Sequence, residues 1–297
     1  MLTAEDRGVE PQADASWRTV ARALGRDRSA MVGVVVLAAL ALVALAAQYV
    51  APYDPIAQPD IIGLKNVPPT LAHPFGTDEM SRDVLSRVVH GARVSLSIAL
   101  LSVLVSATVG TAYGAVAGYA GGVVDSAMMR VVDGFLAIPR VLLLIAVATL
   151  WNGLGLTGLI LLLGLTGWFG VSRLVRTMVL SAREDEFVMA ARALGASDAR
   201  VLVRHILPQV LSPVLVAATL GIGNVIVIEA GLTYLGMGVK TPYASWGSVF
   251  RDGMRAIEST WWVWSFAGLA LVITVLAVNL VADGLRQALS GRQLPAR

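Results

Sequence analysis

Among the ionisable side chains inside otherwise apolar stretches of this sequence are Arg130, Asp133, Arg140 and Glu229. A charge in hydrocarbon is costly, so groups of this kind pair with one another or face water. Arg130 and Asp133 are three residues apart, which puts both on one helical face, and the spacing predicts that they pair. Arg140 follows Pro139, which lacks a backbone donor and should kink the helix that carries it. Broken or kinked segments line paths through membrane bundles. Asp133, Pro139 and Glu229 are therefore candidates for such a path, Glu229 alternatively for contact with a neighbouring helix.

The same inventory excludes most enzymes. The sequence has no cysteine, and its three histidines, His73, His90 and His205, are scattered. No nucleophile–base pair and no two-histidine metal arrangement falls within an apolar stretch. His73 with Asp78 could hold an incoming metal, although a hydrogen bond that orders the loop is the simpler expectation. A phosphate-cradling loop needs Gly-Lys followed by Ser or Thr, so that backbone N–H groups and the lysine share the phosphates. The nearest stretch is Gly238-Val239-Lys240-Thr241, where valine intervenes, so no ATP site is expected on this chain.

Membrane helices must carry these groups. Of 297 residues, 56% are hydrophobic and 14% charged, about half the charge of a soluble globular chain. A bilayer crossing takes roughly 20 apolar residues, and six runs qualify: 31–50, 94–117, 127–150, 158–179, 207–231 and 262–281. The first follows a long charged arm and precedes more spans, so it reads as an anchor rather than a cleaved signal. Fourteen of the arginines and lysines lie in the amino-terminal arm, the end of the fourth run (Arg173 and Arg176) with the segment after it, and the tail, against seven in the two opposite segments. That asymmetry puts both termini in the cytoplasm. Residues 51–91, then outside, hold six of the twelve prolines. They should begin extended and end in a short amphipathic surface helix over 78–89, capped by Thr77 or Asp78. The Trp261–Trp262 pair suits an interfacial belt. Gly110, Gly114 and Gly118, and again Gly164, Gly167 and Gly170, make small-residue stripes for close packing within the chain, with a subunit interface as the alternative.

Between the fourth and fifth runs lies a polar segment, Arg183 to Pro208. Asp185 can cap a helix whose first turn carries further acid, including Glu186. Ala190, Ala191 and Ala193 give that helix a low profile, and Gly195 is suited to end it in a left-handed turn. Ser197 can cap a second helix, which Pro208 limits before the fifth span. The product is a short helix lying along the membrane, small enough in profile to seat in another protein's groove.

The spacing of Ala190-Ala191, Gly195 and Leu207-Pro208 resembles the EAA loop of ABC importer permeases, the element that docks on the ATPase. His73-Pro-Phe-Gly-Thr-Asp78, Ser81 to Arg87, Gly91 to Leu96, Leu232 to Gly238 with Ser245-Trp246-Gly247, and Asn279 with Asp283 to Arg286 resemble the dipeptide/oligopeptide/nickel transporter family, in its second, C-type permease. The resemblance covers nearly everything after residue 30. It implies an all-α, polytopic membrane protein with the six-helix type I ABC importer permease fold. Its parts would be an arm (1–29), a first span (30–50), an external segment (51–91), a five-helix core (92–285) with a coupling loop at about 183–206, and a tail (286–297). It implies that Glu186, Met189, Ala190, Ala191, Gly195, Leu207 and Pro208 serve ATPase coupling. Met189 stands where the family carries glutamate, and Glu186, one turn earlier, is the available substitute. No cofactor is expected on this chain, ATP and magnesium belonging to one or two partner ATPases. A second homologous permease and an extracytoplasmic substrate-binding protein are the other implied partners, amid membrane lipid and without nucleic acid. The implied cargo is a short peptide, with nickel or another small solute as the alternative. A proton-coupled carrier relaying through Glu229 or Asp133 would have no use for a docking helix.

Overall fold

The computed structural model describes residues 17–151 and 154–290; the arm residues 1–16, with Arg7, and the tail residues 291–297, with Arg292 and Arg297, lie outside the described residues. Helix α1 (Trp17–Arg26) leads into α2 (Arg28–Leu45), the first span. Asp27 sets its start by accepting the amides of Ser29 and Ala30 at 2.9 and 3.3 Å, and α3 (Ala47–Val50) extends it. The span lies on the outside of the bundle. Gly33 lets it touch the final helix, where an added Cβ would come within 2.6 Å of the Ala277 carbonyl, while Val32, Val35, Leu42 and Leu45 face outward.

Residues 51–83 form turns, and the amphipathic helix expected over 78–89 is not a separate element. Arg82 and Arg87 occupy the Asp78 carboxylate, and Ser81 adopts a φ of 63° that no helix tolerates. The cap is Asp83 instead, which accepts both the amide and the hydroxyl of Ser86 at 2.7 Å. From there α4 (Val84–Ala120) runs 37 residues unbroken, about 55 Å long at 1.5 Å per residue, against a hydrocarbon core of roughly 30 Å. Val84, Val88 and Val89 are thus the projecting first turns of the second span.

The third span is broken rather than kinked. Helix α5 (Gly122–Leu136) and α6 (Arg140–Leu150) meet at 81° across Ala137–Pro139. Helix α7 (Leu156–Ala182) packs parallel to α4 along the glycine stripe. Added Cβ atoms at Gly110 and Gly118 would lie 2.8 and 2.7 Å from the carbonyls of Trp168 and Arg176, and one at Gly114 would collide with that of Ser172. The stripe is an intramolecular seam. Gly164 and Gly167 pack against Ser102, Val105 and Ser106, whereas Gly170 meets nothing within 4 Å and opens onto a cavity.

After α8 (Glu186–Ala193) and α9 (Asp198–Val201), Leu202–Ile206 form a π-helical turn that runs straight into α10 (Leu207–Tyr234). Pro208 therefore does not limit the second helix. It occupies the first turn of α10, where its missing N–H costs no hydrogen bond, and the wide turn before it makes room for the ring. Helix α11 (Trp246–Met254), capped by Ser245, and α12 (Trp261–Ser290) complete the chain. Of the tryptophan pair, Trp261 is exposed but Trp262 is buried and donates its indole N–H to the Thr77 carbonyl at 3.0 Å. One ring is interfacial and the other belongs to the core. Among the described residues five helices are long and apolar enough to span a membrane, and the bent pair makes six.

Candidate functional site

The loop after α7 is built as a short helix on an apolar footing. Asp185 and Ser197 stand at the two N-cap positions with extended backbones, but neither side chain makes the capping hydrogen bond expected of it. The stop is firmer: Gly195 has a φ of 81°, the Ala196 amide donates to Ala191 at 3.1 Å and the Gly195 amide to Arg192 at 2.9 Å. This is a Schellman ending. Val188 is fully buried and, with Val179, Val201, Ile206 and Val210, roots the loop on α7 and α10. Phe187 and Ala191 pack partly on the same root, and the opposite face of α8 points away from it. Glu186, Met189, Ala190 and Ala193 are exposed, and Leu194 is 89% exposed. The structure divides the alanine pair: Ala190 faces outward, whereas Ala191 is half-buried against the chain's own core. Leu207 packs on the same core, and Pro208 begins α10 behind it.

Sequence spacing gave no sign of the clamp that orients this loop. Tyr119, at the end of α4, donates its hydroxyl to Asp198 at 2.5 Å, accepts from Arg192 at 3.2 Å, and lies under the Arg192 guanidinium at 5.5 Å from ring centroid to carbon. Arg183 reaches the Tyr119 carbonyl at 3.4 Å. Its position directly after the glycine stripe was the available signal.

Along the spans, Asp133 does not pair with Arg130. It pairs with Arg173 on α7, and Arg176 holds Asp125 through two bonds of 2.5 and 2.6 Å. Antiparallel packing of α5 beside α7 brings those arginines across, and a contact along one helix is worth only a few tenths of a kcal/mol against them. Asp133, Arg130 and Arg173 thus line a shallow cleft at the loop end of the bundle. Glu229 is 1% exposed. It accepts hydroxyls from Thr233, Ser245 and Ser95 at 2.8, 2.9 and 3.4 Å, fastening α10 to α11 and α4. Its hydrogen-bond partners are all hydroxyls, which favours the helix-contact alternative for it. His73 lies 2.9 Å from Asp83, not near Asp78, and orders the turn before α4. At this end Arg82 and Arg87 bridge Asp78 and Asp252, with Arg87 Nη2 2.9 Å from Asp252. Burial alone would raise the Asp252 carboxyl, but the Arg87, Arg82 and Arg251 charges outweigh it and hold it below the usual carboxylate range.

Among the described residues, five helices long and apolar enough to span a membrane, a bent pair that makes a sixth, and a short outward-facing helix at one end describe a polytopic membrane protein. Residues 110–294 match the family described as binding-protein-dependent transport system inner membrane component, and the chain belongs to that family. Residues 16–69 match the N-terminal transmembrane domain of oligopeptide transport permease C. The chain is 36% identical over 269 residues to the dipeptide transport system permease protein DppC of Bacillus subtilis (strain 168), covering 90% of this chain and 83% of that one. It is 34% identical over 293 residues to the protein of the same name from Alkalihalophilus pseudofirmus, covering 97% and 95%. The chain is a membrane-spanning permease component of an ABC transporter with the type I permease fold.

Proposed function

We propose that this permease is one half of an ABC importer for short peptides and that α8 is the helix that couples it to an ATPase. The peptide cargo follows the relatives, which are named for dipeptide transport. The coupling assignment rests on one observation: α8 is rooted by Val188 with Phe187 and Ala191, ended by Gly195, and presents Glu186, Met189, Ala190 and Ala193 outward with no partner among the described residues. In this reading a second homologous permease completes the path and a binding protein delivers cargo to the end formed by residues 51–83 and 237–260. ATP and magnesium reside on the partner ATPases. The α8 end, where α2 begins and α12 finishes, faces the cytoplasm in this reading, in keeping with the arginine asymmetry. Closure of the ATPases moves α8, and the bundle alternates between two arrangements.

The test is uptake and substrate-stimulated ATPase activity of the reconstituted complex. Ala190→Trp overfills the docking groove, at about 1–3 kcal/mol, and Gly195→Val forces a β-branched residue into a left-handed conformation. Both should leave the permease in the membrane and abolish coupled activity, while Met189→Glu is tolerated. Full transport by Ala190→Trp at normal abundance removes the coupling assignment.

A further inference from the structure

Arg140 is the intramembrane charge that the coupling loop and the ion pairs leave unused. It begins α6, directly after the break, and its guanidinium donates to the Leu163 carbonyl at 3.0 Å. Its Nε is buried without a partner, and among the described residues no carboxylate pairs with it. Asp133 is taken by Arg173 and Glu229 by three hydroxyls. The group faces a cavity of about 200 Å³ walled by Ser106, Gly167, Gly170, Gly221 and Asn224. Asn224 is a polar side chain exposed halfway along an apolar helix, which is costly against lipid and natural against an aqueous path. The glycines keep the wall low where the arginine lies over it: a Cβ at Gly167 would stand 3.1 Å from its Nη2. No side chain caps α6 at Pro139, so its first amides add to the positive character of the same spot.

An unpaired guanidinium with orphan donors recognises a planar anion with two oxygens. The cavity is smaller than the roughly 300 Å³ at which pockets enclose whole small ligands, so it takes the end of a longer molecule. We propose that the Arg140 cavity receives the terminal carboxylate of the transported peptide, with Asn224 and Ser106 beside it. This rests on the peptide-importer reading above.

The chain has no native cysteine, and Gly170 has open space at its Cβ, so Gly170→Cys puts a single thiol on the cavity wall. Alkylation of that thiol by a small membrane-permeant maleimide is followed by the mass of this chain, in the complex reconstituted with its second permease and ATPases. Saturating alanyl-alanine should slow labelling roughly tenfold, the scale of one charge-assisted contact, and alanyl-alanine amide less than about twofold. Arg140→Gln should abolish the difference between acid and amide, and Arg140→Lys should keep part of it. Where Arg140→Gln fails to co-purify with the other subunits, the reduced acid-over-amide ratio of Arg140→Lys carries the test. Equal protection by acid and amide, protection that survives Arg140→Gln, or no protection by either peptide overturns the proposal. Uptake of alanyl-alanine by the same complex with its binding protein separates the two claims. Uptake with an unprotected thiol rejects only the carboxylate site, and no uptake by the wild-type complex rejects the importer reading and the site together.

Discussion

Tyr119 and Asp198, 79 residues apart, share a 2.5 Å hydrogen bond that ties the end of α4 to the helix following the Gly195 turn. The groups are exposed, and exposed contacts of this kind contribute roughly 0–1 kcal/mol. The link therefore orients the loop more than it stabilises the fold. Tyr119→Phe should leave the abundance of the complex unchanged and lower the peptide taken up per ATP hydrolysed. A coupling ratio equal to wild type in liposomes would show that α4 receives nothing from the loop.

Gly114 and Leu104 lie on one helix and should respond oppositely to substitution. Gly114 lies directly against the Ser172 carbonyl, and Leu104 is 59% exposed toward lipid. Gly114→Leu must separate α4 from α7, at about 1–3 kcal/mol or more, and no hydrophobic gain compensates in lipid. Leu104→Ala removes only a lipid contact. Monodispersity and yield of the purified complex measure both, and equal yields would contradict the seam.

Asp252 and Asp133 each pair with arginine, but only Asp252 does so in a buried setting. Arg87 is 3% exposed and Asp252 16%, whereas Arg173 and Asp133 are both more than half exposed. Asp252→Asn removes one of the two carboxylates that Arg82 and Arg87 share, leaving Asp78 to hold both, and should cost roughly 1.5–3 kcal/mol. Asp133→Asn should cost less than about 1 kcal/mol. Thermal unfolding in detergent distinguishes them. Because the Asp252 carboxyl is held low, its stabilisation is complete above the ordinary aspartate value of about 3.9 and is lost only as pH falls through the lower folded value. Between about pH 7 and pH 5 this group should leave the wild-type melting temperature unchanged, and a melting loss in that window that Asp252→Asn removes would contradict it.

Lys65 and Tyr243 are exposed at the end of the bundle opposite α8. Single-cysteine variants Lys65→Cys and Tyr243→Cys should react with an impermeant thiol reagent in spheroplasts, and Ala193→Cys only after lysis. The reverse pattern would invert the permease in the membrane.

The apolar runs made the six spans legible, and the type of residue at Gly195 announced its left-handed turn, because both are local properties of the chain. What the sequence left dark is pairing between distant segments. The sequence points to Thr77 or Asp78 as the cap, and only Arg82 and Arg87 closing on Asp78 moves the cap to Asp83. Asp133 has an arginine three residues away and ignores it for one on α7. Ala190 and Ala191 are identical in type, and which faces outward depends on where Val188 is rooted. The π-helical turn at Leu202–Ile206 has no residue signature at all; Pro208 marks its neighbourhood, not its hydrogen bonding.

The first span has its own bearing on how the membrane acts on this protein. Helix α2 lies against α12 and α4, with Gly33 set on the Ala277 carbonyl and Ala30 on Gly284, and shows the rest of its surface outward. Along that flank α12 meets a neighbour of fixed shape instead of acyl chains. A thinner or thicker bilayer would tilt or strain α2 first, at fractions of a kcal/mol per ångström of mismatch, and on this flank would reach the core through the contacts of α2 with α12 and α4. The added helix makes the core less responsive to the lipid around it.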